Sequence, residues 1–168
     1  VFKYELTDHS VSLRKEFVTY ESYADKTIDE ILPEVQLEKS PKCITNFLET
    51  VWFENQNGQF VRQQLPVEAS ISSVNAISVN DFDQDGNKDI LLAGNVPYNR
   101  VRIGRRDGSF GIYLKGDGKG NFSYLPNWKT GLFIQGSVRA LETIQTKKNK
   151  KLVVGINNAK PLLISIEK

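Results

Sequence analysis

The sequence predicts a mainly β protein of antiparallel strands, with a short α-helical segment at its N-terminus. Helical spacing of apolar residues is confined to residues 1–42. From residue 43 onward, short runs of β-branched and aromatic residues alternate with turns rich in Gly, Asn and Asp, which is typical of antiparallel strands. Motifs of this second part also recur about 60 to 64 residues apart, which indicates a repeated β unit. We therefore predict a helical accessory segment, residues 1–42, and a β region, residues 43–168.

Apolar residues in the first segment recur at intervals of three and four, the period of an amphipathic helix. They are Phe17, Tyr20, Ala24, Ile28 and Ile31. Thr27 and Glu30 have the spacing of a capping box, and Pro33 ends the pattern. We expect one or two short helices here.

Composition excludes several classes of protein. A net charge of +2 over 168 residues is too small to favour binding to nucleic acid or insertion into a membrane, and no apolar run approaches the length of a membrane span, about 20 residues. The single cysteine, Cys43, and the single histidine, His9, exclude an internal disulfide and a His/Cys zinc site. Because the chain begins at Val1 and contains no methionine, we expect it to be a piece of a longer protein.

The repeat is read from short motifs that occur twice in the same order. Residues 53–60 resemble 114–122, 65–66 resemble 125–126, 73–77 resemble 137–141, 88–92 resemble 150–154, and Asn95 corresponds to Asn157. A unit of this length with four strand signals suits a four-stranded antiparallel propeller blade. Strands near 74–80, 88–94, 110–115 and 121–125 would form one blade. Residues 44–65 would supply the last two strands of the blade before it, and residues 137–167 the first strands of the blade after it. The chain thus holds about two blades, an incomplete propeller.

Between the first two strands of the complete blade lies the loop DFDQDGNKD, residues 81–89. Its carboxylates, from Asp81, Asp83, Asp85 and Asp89, stand at positions 1, 3, 5 and 9. Calcium takes six to eight oxygen ligands, and four unpaired carboxylates this close would repel one another without a cation. The loop is not an EF-hand, because its position 12 is an apolar residue and strands flank it. The alternative is a hairpin turn of Asp, Asn and Gly that binds no metal.

The second copy changes this loop. Residues 144–151 read IQTKKNKK, with four lysines where the first copy has acids. A cation has no ligands there, so pairing and packing alone must hold the second hairpin. If the aspartates served only the turn, the second copy would be expected to retain some of them.

These motifs resemble a known family. DFDQDGNKDILLAGN is similar to the calcium-binding core of FG-GAP, or VCBS, repeats, and FENQNGQF and YLKGDGKGNF resemble the outer turns of the same blades. Residues 102–122 look like the C-terminal part of large bacterial VCBS-repeat proteins, and the resemblance covers about residues 44–168. Such repeats build the seven-bladed propeller of integrin α-subunits and of bacterial secreted or surface proteins. The resemblance implies an extracellular, cell-surface or periplasmic location for an exported protein.

Carried over to this chain, the resemblance makes Asp81, Asp83, Asp85 and Asp89 side-chain ligands of Ca²⁺. Asn87 would add its carbonyl oxygen, and Gly86 would permit the turn. Two departures from the family pattern stand out, since one copy holds too few blades for a closed ring and the last repeat lacks the calcium loop.

Three functions remain open from the sequence. The first is a non-catalytic, calcium-stabilised module that serves as scaffold or interaction surface of a larger exported protein. The second is a glycan- or partner-binding module that uses surface aromatics, and the third a calcium-assisted hydrolase that uses Asp107 and Asp117, although their neighbouring glycines favour turns. The candidate aromatics are Trp52, Tyr98, Tyr113, Tyr124 and Trp128. Open sheet edges of an incomplete propeller need cover, from the rest of the parent chain or from a second copy.

Overall fold

The structure, a computed structural model, describes residues 3–32, 38–41, 43–99, 101, 103–147 and 149–166. The chain divides into two compact units, Val1–Asn46 and Phe47–Lys168. The first unit is helical and the second consists mainly of antiparallel β-sheets, which confirms the prediction of a mainly β, antiparallel protein with a short helical segment. The assignment of the sheets to propeller blades stays a prediction. The strands of the described residues close into neither a barrel nor a propeller ring.

Glu38 and Lys39 of the first unit are helical. The described residues before them contain four short helices, where we expected one or two. They are α1 (Lys3–His9), α2 (Val11–Glu16), α3 (Glu21–Ala24) and α4 (Ile28–Ile31). The apolar spacing runs across an interruption between two helices, because Asp25, which ends α3, has non-helical backbone angles and α4 begins only at Ile28. Leu13, Phe17, Tyr23 and Ile31 form the core of the unit. None of the described helices has both the length and the apolar character needed to span a bilayer.

The capping box predicted at the start of α4 is confirmed. The backbone N–H of Thr27 donates to the Glu30 carboxylate at 2.8 Å, and the Thr27 hydroxyl donates to the same carboxylate at 3.0 Å. The Glu30 side chain therefore provides an acceptor for the Thr27 N–H, which has no acceptor within the helix.

The second unit contains three antiparallel sheets. The first sheet pairs β1 (Val51–Gln56) with β2 (Gln59–Gln64). The second sheet contains, in chain order, β3 (Val74–Asn80), β4 (Asp89–Gly94), β5 (Ile112–Gly116) and β6 (Phe122–Leu125). The third sheet contains β7 (Val138–Gln145), β8 (Lys150–Ile156) and β9 (Leu162–Ile166). The complete four-stranded sheet lies where the sequence predicts it. The strand expected from residue 44 begins only at Val51, and residues 44–50 contain no strand. A 3-10 helix, Val67–Ser70, follows β2, and a one-turn helix, α5 (Asn127–Thr130), follows β6.

The two copies of the repeat share fine details of backbone geometry. The β3–β4 hairpin has a register shift after Val74, and the β7–β8 hairpin has the same shift after Val138. The residue after each hairpin is an asparagine, and its backbone N–H donates to the carbonyl of the serine just before the hairpin. Asn95 donates to Ser73 at 3.0 Å, and Asn157 donates to Ser137 at 2.8 Å. Positions matched in the sequence are therefore equivalent in structure.

The four-stranded sheet is apolar on both faces. Leu91 packs in a cluster shared with the β7–β9 sheet, while its neighbour Leu92 packs with Leu65 and Ala69 on the opposite face. Both leucines are buried, because successive side chains of a strand point to opposite faces. This arrangement explains why β4 reads as an unbroken apolar run after Asp89.

Candidate metal centre

The loop between β3 and β4 carries the aspartates singled out by the sequence. The chain reverses here through two residues with left-handed backbone angles, Gln84 (φ 62°) and Gly86 (φ 92°). Phe82 is buried beneath the loop and meets the ring of Tyr113 edge-on, with 6.0 Å between the ring centroids. The apolar side chain of Phe82 thus anchors the loop to β5. The acidic side chains occupy other positions of the loop.

Three of the predicted ligands lie together. Asp81, Asp83 and Asp89 each offer a carboxylate oxygen, and these oxygens all lie within 4.8 Å of one another. Two oxygens bound to one calcium ion at about 2.3–2.6 Å are separated by at most about 5.2 Å. These three acidic residues are therefore close enough to hold one metal ion.

Backbone N–H groups of the loop hold two of these carboxylates. Asp81 accepts from the N–H of Asp85 at 3.1 Å and from the N–H of Gly86 at 3.0 Å. Asp83 accepts from the N–H of Asp85 at 3.2 Å. The loop thus orients the carboxylates before any cation arrives, which lowers the entropy lost on binding.

Asp89, the first residue of β4, has no solvent exposure. Its carboxylate accepts three hydrogen bonds: from the Phe82 N–H at 3.0 Å, from the Tyr113 hydroxyl at 2.6 Å and from the Gly116 N–H at 3.0 Å. A carboxylate has about four lone-pair sites, so Asp89 keeps one for a cation. Asp89 therefore interacts mainly with other groups of the protein, and its hydrogen bonds join the loop to β5.

Gly116 lets β5 approach this carboxylate. A Cβ atom at Gly116 would lie 2.0 Å from the carbonyl oxygen of Lys88, closer than any real Cβ contact. The glycine is therefore required by the close approach of two backbones beside Asp89.

A lysine that the sequence did not indicate lies against the same acids. The Lys115 ammonium, on β5, contacts the carboxylate of Asp83 and lies 2.8 Å from that of Asp85. Hydrogen bonding to Asp83 and Asp85 raises the Lys115 pKa, and Lys115 in turn holds the pKa of Asp85 below its ordinary value. Asp85 also accepts from the Asn87 N–H at 2.8 Å, and its carboxylate does not belong to the three-acid group.

The site keeps an excess of negative charge. Within the part of the chain that the structure describes, one ammonium, that of Lys115, lies within ion-pair distance of the four loop carboxylates. Burial, together with the hydrogen bond to Asp89, raises the pKa of Tyr113, so the hydroxyl stays protonated and donates. Oxygen ligands, close spacing and residual negative charge are all features that a hard cation requires.

The corresponding hairpin of the second copy holds itself together without acids. The Thr146 N–H donates to the Asn149 carbonyl at 2.9 Å, and the Asn149 N–H donates to the Thr146 hydroxyl at 3.1 Å. Lys148 lies outside the described residues. Lys150 donates to the side-chain oxygen of Asn80, the last residue of β3, at 2.8 Å. The lysine-rich copy therefore contacts the strand that leads into the acidic loop.

The two other candidate acids serve local turns or pairs. Asp117 accepts from the N–H groups of Lys119 at 2.7 Å and Asn121 at 3.1 Å, and hydrogen bonding lowers its pKa, with the Asn121 side chain as the main cause. Asp107 pairs with Arg105 at 2.7 Å. Neither contact places a carboxylate pair beside the three-acid group.

The candidate aromatics divide into packed and exposed residues. Trp52 meets Phe122 edge-on at 5.9 Å, and the Tyr124 hydroxyl donates to Asn127 at 3.2 Å. Tyr98 and Trp128 are 73% and 79% exposed. The second group alone retains a surface suited to stacking on a ligand.

Comparison of the chain with protein-family models, with curated proteins and with solved structures found no match.

Proposed function

We propose that this chain is a non-catalytic, calcium-stabilised β-repeat module of a larger exported protein, as its resemblance to FG-GAP and VCBS repeats implies. The observation that carries the proposal is the group of three carboxylates, Asp81, Asp83 and Asp89, with oxygens within 4.8 Å of one another. A cation on this group would neutralise charges that Lys115 leaves unpaired.

Each residue of the loop has a distinct part in this proposal. Asp81 and Asp83 are the ligands that bind and release the ion, and loop N–H groups already orient their carboxylates for it. Asp89 contributes one remaining lone pair while it fixes the loop to β5. Asp85 and the carbonyl of Asn87 complete the coordination in the proposal, and this requires Asp85 to exchange its contact with Lys115 for the metal.

The positive charge of a bound calcium ion would hold the carboxylates of the β3–β4 loop together. In this proposal the coordination is closed by protein oxygens, so the ion has a structural role and the module provides scaffold or interaction surface. The same proposal places the module outside the cytoplasm, where calcium is abundant.

Thermal unfolding of purified, calcium-depleted protein, with millimolar calcium and with excess EGTA, tests the proposal. A ligand at about 100 times its Kd stabilises the native state by about 2.7 kcal/mol. For a chain of this size, that corresponds to a rise in Tm of about 5–10 °C. An unchanged midpoint would contradict calcium binding.

Three variants sharpen the measurement. Asp81→Asn should abolish the calcium-dependent shift, whereas Asp117→Asn, in a turn of the same sheet, should leave it intact. Lys115→Met removes the competing ammonium, and we expect it to enlarge the shift. Magnesium at the same concentration serves as the control for ionic strength, because its smaller octahedral shell fits this loop poorly.

A second candidate function, recognition of a glycan or partner, is favoured by the exposure of Trp128 and Tyr98. Exposed aromatic rings stack well on sugars and on partner side chains. A glycan-array screen of the wild-type chain and of Trp128→Ala tests this function. Binding that the variant retains in full would argue against Trp128.

A further inference from the structure

A cavity lies at the end of the four-stranded sheet that is opposite the acidic loop. Asp89 begins β4, whereas Asn95, which lines the cavity, follows the last residue of that strand. The volume of the cavity is about 460 Å³, within the range of about 300–1,000 Å³ that is usual for small-molecule sites. Its walls come from the β4–β5 loop, from residues 135–137 before β7, and from residues 156–159 at the end of β8. The cavity is therefore separate from the proposed calcium site.

The floor of the cavity is fixed by hydrogen bonds between buried polar groups. The side-chain amide of Asn95 donates to the carbonyls of Ser109 at 2.7 Å and Gly136 at 3.2 Å. The Ser109 N–H donates to the Asn95 side-chain oxygen at 3.2 Å, and the Ser137 hydroxyl donates to the Asn95 carbonyl at 3.1 Å. Because these groups satisfy one another, the floor is formed before any ligand binds, which lowers the entropy lost on binding.

A short bridge within the β4–β5 loop positions the side chains above this floor. The Val96 N–H donates to the Arg106 carbonyl at 2.7 Å, and the Arg106 N–H donates to the Val96 carbonyl at 3.1 Å. Alternate residues of an extended chain point to the same side, so Arg105 and Asp107 share the side opposite to that of Arg106. Both line the cavity, and Arg106 is not among the described residues that do.

Arg105 and Asp107 form an ion pair in the cavity wall. The Arg105 Nε donates to one carboxylate oxygen of Asp107 at 2.7 Å, and an Nη atom of Arg105 lies 2.7 Å from the same oxygen. A guanidinium has several N–H donors and a carboxylate has two acceptor oxygens. Within the part of the chain that the structure describes, no further polar contact involves either side chain. The pair therefore retains N–H donors and one carboxylate oxygen for a ligand.

Amide side chains on the other walls offer donors and acceptors together. Asn157 and Asn158 occupy the central positions of a turn that closes where the Ala159 N–H donates to the Ile156 carbonyl at 3.4 Å. Gln135 lines the cavity from the segment before β7. Each amide side chain carries an NH₂ group that donates and a carbonyl oxygen that accepts. The polar part of the wall can thus donate and accept in the same place.

The remaining wall is apolar and aromatic. Tyr98, which is 73% exposed, lines the cavity together with Pro97 and Ile156. Phe110 also lines it, and its ring stacks on that of Phe133 with 4.8 Å between the centroids and 11° between the planes. The stack holds the Phe110 ring in place, and Tyr98 presents an exposed ring beside the polar groups.

We propose that this cavity binds a neutral pyranose sugar. Every sugar hydroxyl both donates and accepts hydrogen bonds, which suits a wall where Arg105 donates, Asp107 accepts and the amides do both. The C–H face of the sugar ring packs on the Tyr98 ring. The proposed sugar site rests on the second candidate function, recognition of a glycan, and gives that function a location and a class of ligand.

The charges of the ion pair decide against other small ligands. An anion would meet the carboxylate of Asp107 at close range, and a cation would meet the guanidinium of Arg105. An apolar ligand would leave the donors and acceptors of the wall without partners, which costs free energy. A neutral ligand with many hydroxyl groups avoids both costs.

The probes are the methyl glycosides of glucose, galactose, mannose and N-acetylglucosamine, titrated into the whole chain in millimolar calcium and followed by NMR of the backbone amides. We expect saturable shifts for residues 95–98 and 156–159, and none for residues 81–89. The uronic acid with the same ring stereochemistry as the best-bound sugar should bind at least about tenfold more weakly, because its carboxylate meets Asp107.

Matched substitutions locate the site. Arg105→Met keeps the apolar stem and removes the donors, and Tyr98→Ala removes the ring. Each should weaken binding at least about tenfold, the effect typical of a lost hydrogen bond to a charged group or of a lost ring contact. Arg106→Met, in the same loop but outside the cavity, and Trp128→Ala should leave the affinity unchanged. Because the Tyr98 and Arg105 side chains are largely exposed, both variants should fold.

Three results would overturn the sugar site. Binding that Trp128→Ala abolishes, and that Arg105→Met and Tyr98→Ala leave intact, would place glycan recognition elsewhere on the chain. A preference for the uronic acid would exclude a neutral ligand. Binding of none of the glycosides would remove the sugar site altogether, and the calcium-dependent shift in Tm of the same preparation then tells whether the first proposed function stands.

Discussion

At the scale of single residues, the aspartates of the loop differ in their surroundings far more than their spacing indicates. Asp89 is buried and accepts three protein hydrogen bonds, whereas Asp83 and Asp85 are partly exposed and face Lys115. A buried carboxylate with several donors belongs to the structure with or without a metal. In the proposed calcium site, Asp81 and Asp83 would therefore determine the affinity for the ion, whereas Asp89 contributes mainly to the stability of the fold.

The substitution Asp89→Asn separates these roles. An amide presents a donor where the carboxylate accepted, so at least one buried N–H or O–H loses its partner. We expect a loss of about 3 kcal/mol in the free energy of unfolding. Urea denaturation in EGTA measures it, because the chelator removes any contribution from bound metal.

Tyr113→Phe provides the control for the same contact. It removes only the hydroxyl that donates to Asp89 at 2.6 Å, and we expect a loss of about 1.5 kcal/mol. The double variant should lose less than the sum of the two single variants, because the hydroxyl and the carboxylate interact. Strict additivity would show that the hydrogen bond contributes nothing to stability.

At the scale of elements, short helices and hairpins follow from local chemistry. The capping box of Thr27 and Glu30 begins α4, and left-handed residues such as Asn57 and Gly58 turn the β1–β2 hairpin. Both features are visible in sequence because they require particular residues at fixed offsets. The interruption between α3 and α4 at Asp25 was not visible, since the apolar spacing continues across it.

The start of α4 should depend on pH. The Thr27 N–H, and after it Lys26, hold the pKa of Glu30 at about 2, below its ordinary value of 4.5. Because the folded state binds this proton less readily than the unfolded state, the contribution of the cap is complete above about pH 4.5. It is lost as the pH falls through about 2.

An NMR titration of the Thr27 amide between pH 6 and 1.5 measures this transition. We expect its chemical shift to move with a midpoint near 2, and Glu30→Gln to remove the movement. A midpoint close to 4.5 would mean that the capping contact is not populated in solution.

At the scale of the whole second unit, burial depends on which sheet lies next to a strand. Ile77 and Leu141 are equivalent in the repeat, yet Ile77 is 59% exposed and Leu141 only 4% exposed. Leu141 packs in the cluster shared with the four-stranded sheet, whereas Ile77 belongs to neither apolar cluster of the second unit. An aliphatic residue at equivalent positions of two equivalent strands is therefore core in one copy and surface in the other.

Asn95 shows how the second and third sheets are joined. Its side-chain amide donates to the carbonyls of Ser109 at 2.7 Å and Gly136 at 3.2 Å, and its side-chain oxygen accepts from the hydroxyl of Ser72 at 2.8 Å. It is 2% exposed, with a left-handed φ of 74°. Its counterpart Asn157 is exposed.

We predict that Asn95→Ala lowers the free energy of unfolding by about 3 kcal/mol, because it leaves buried carbonyl and hydroxyl groups unsatisfied and places alanine in a left-handed conformation. Asn157→Ala should change it by no more than about 0.5 kcal/mol. Urea denaturation of both variants under one set of conditions tests the contrast. Equal effects would mean that the hydrogen bonds of Asn95 contribute nothing beyond those of an exposed side chain.

The sequence by itself determined the class of fold, the positions of the strands in the complete sheet, the repeat and the acidic loop that contains Asp81, Asp83 and Asp89. These features depend on residue periodicity and turn chemistry over short stretches of chain. Only the tertiary structure decided that Lys115 pairs with Asp83, that Asp89 is buried and accepts from Tyr113, and that residues of β9 and of the four-stranded sheet line one open groove. Such contacts join residues far apart in the chain, and they form only where sheet pairing and stacking bring those residues together.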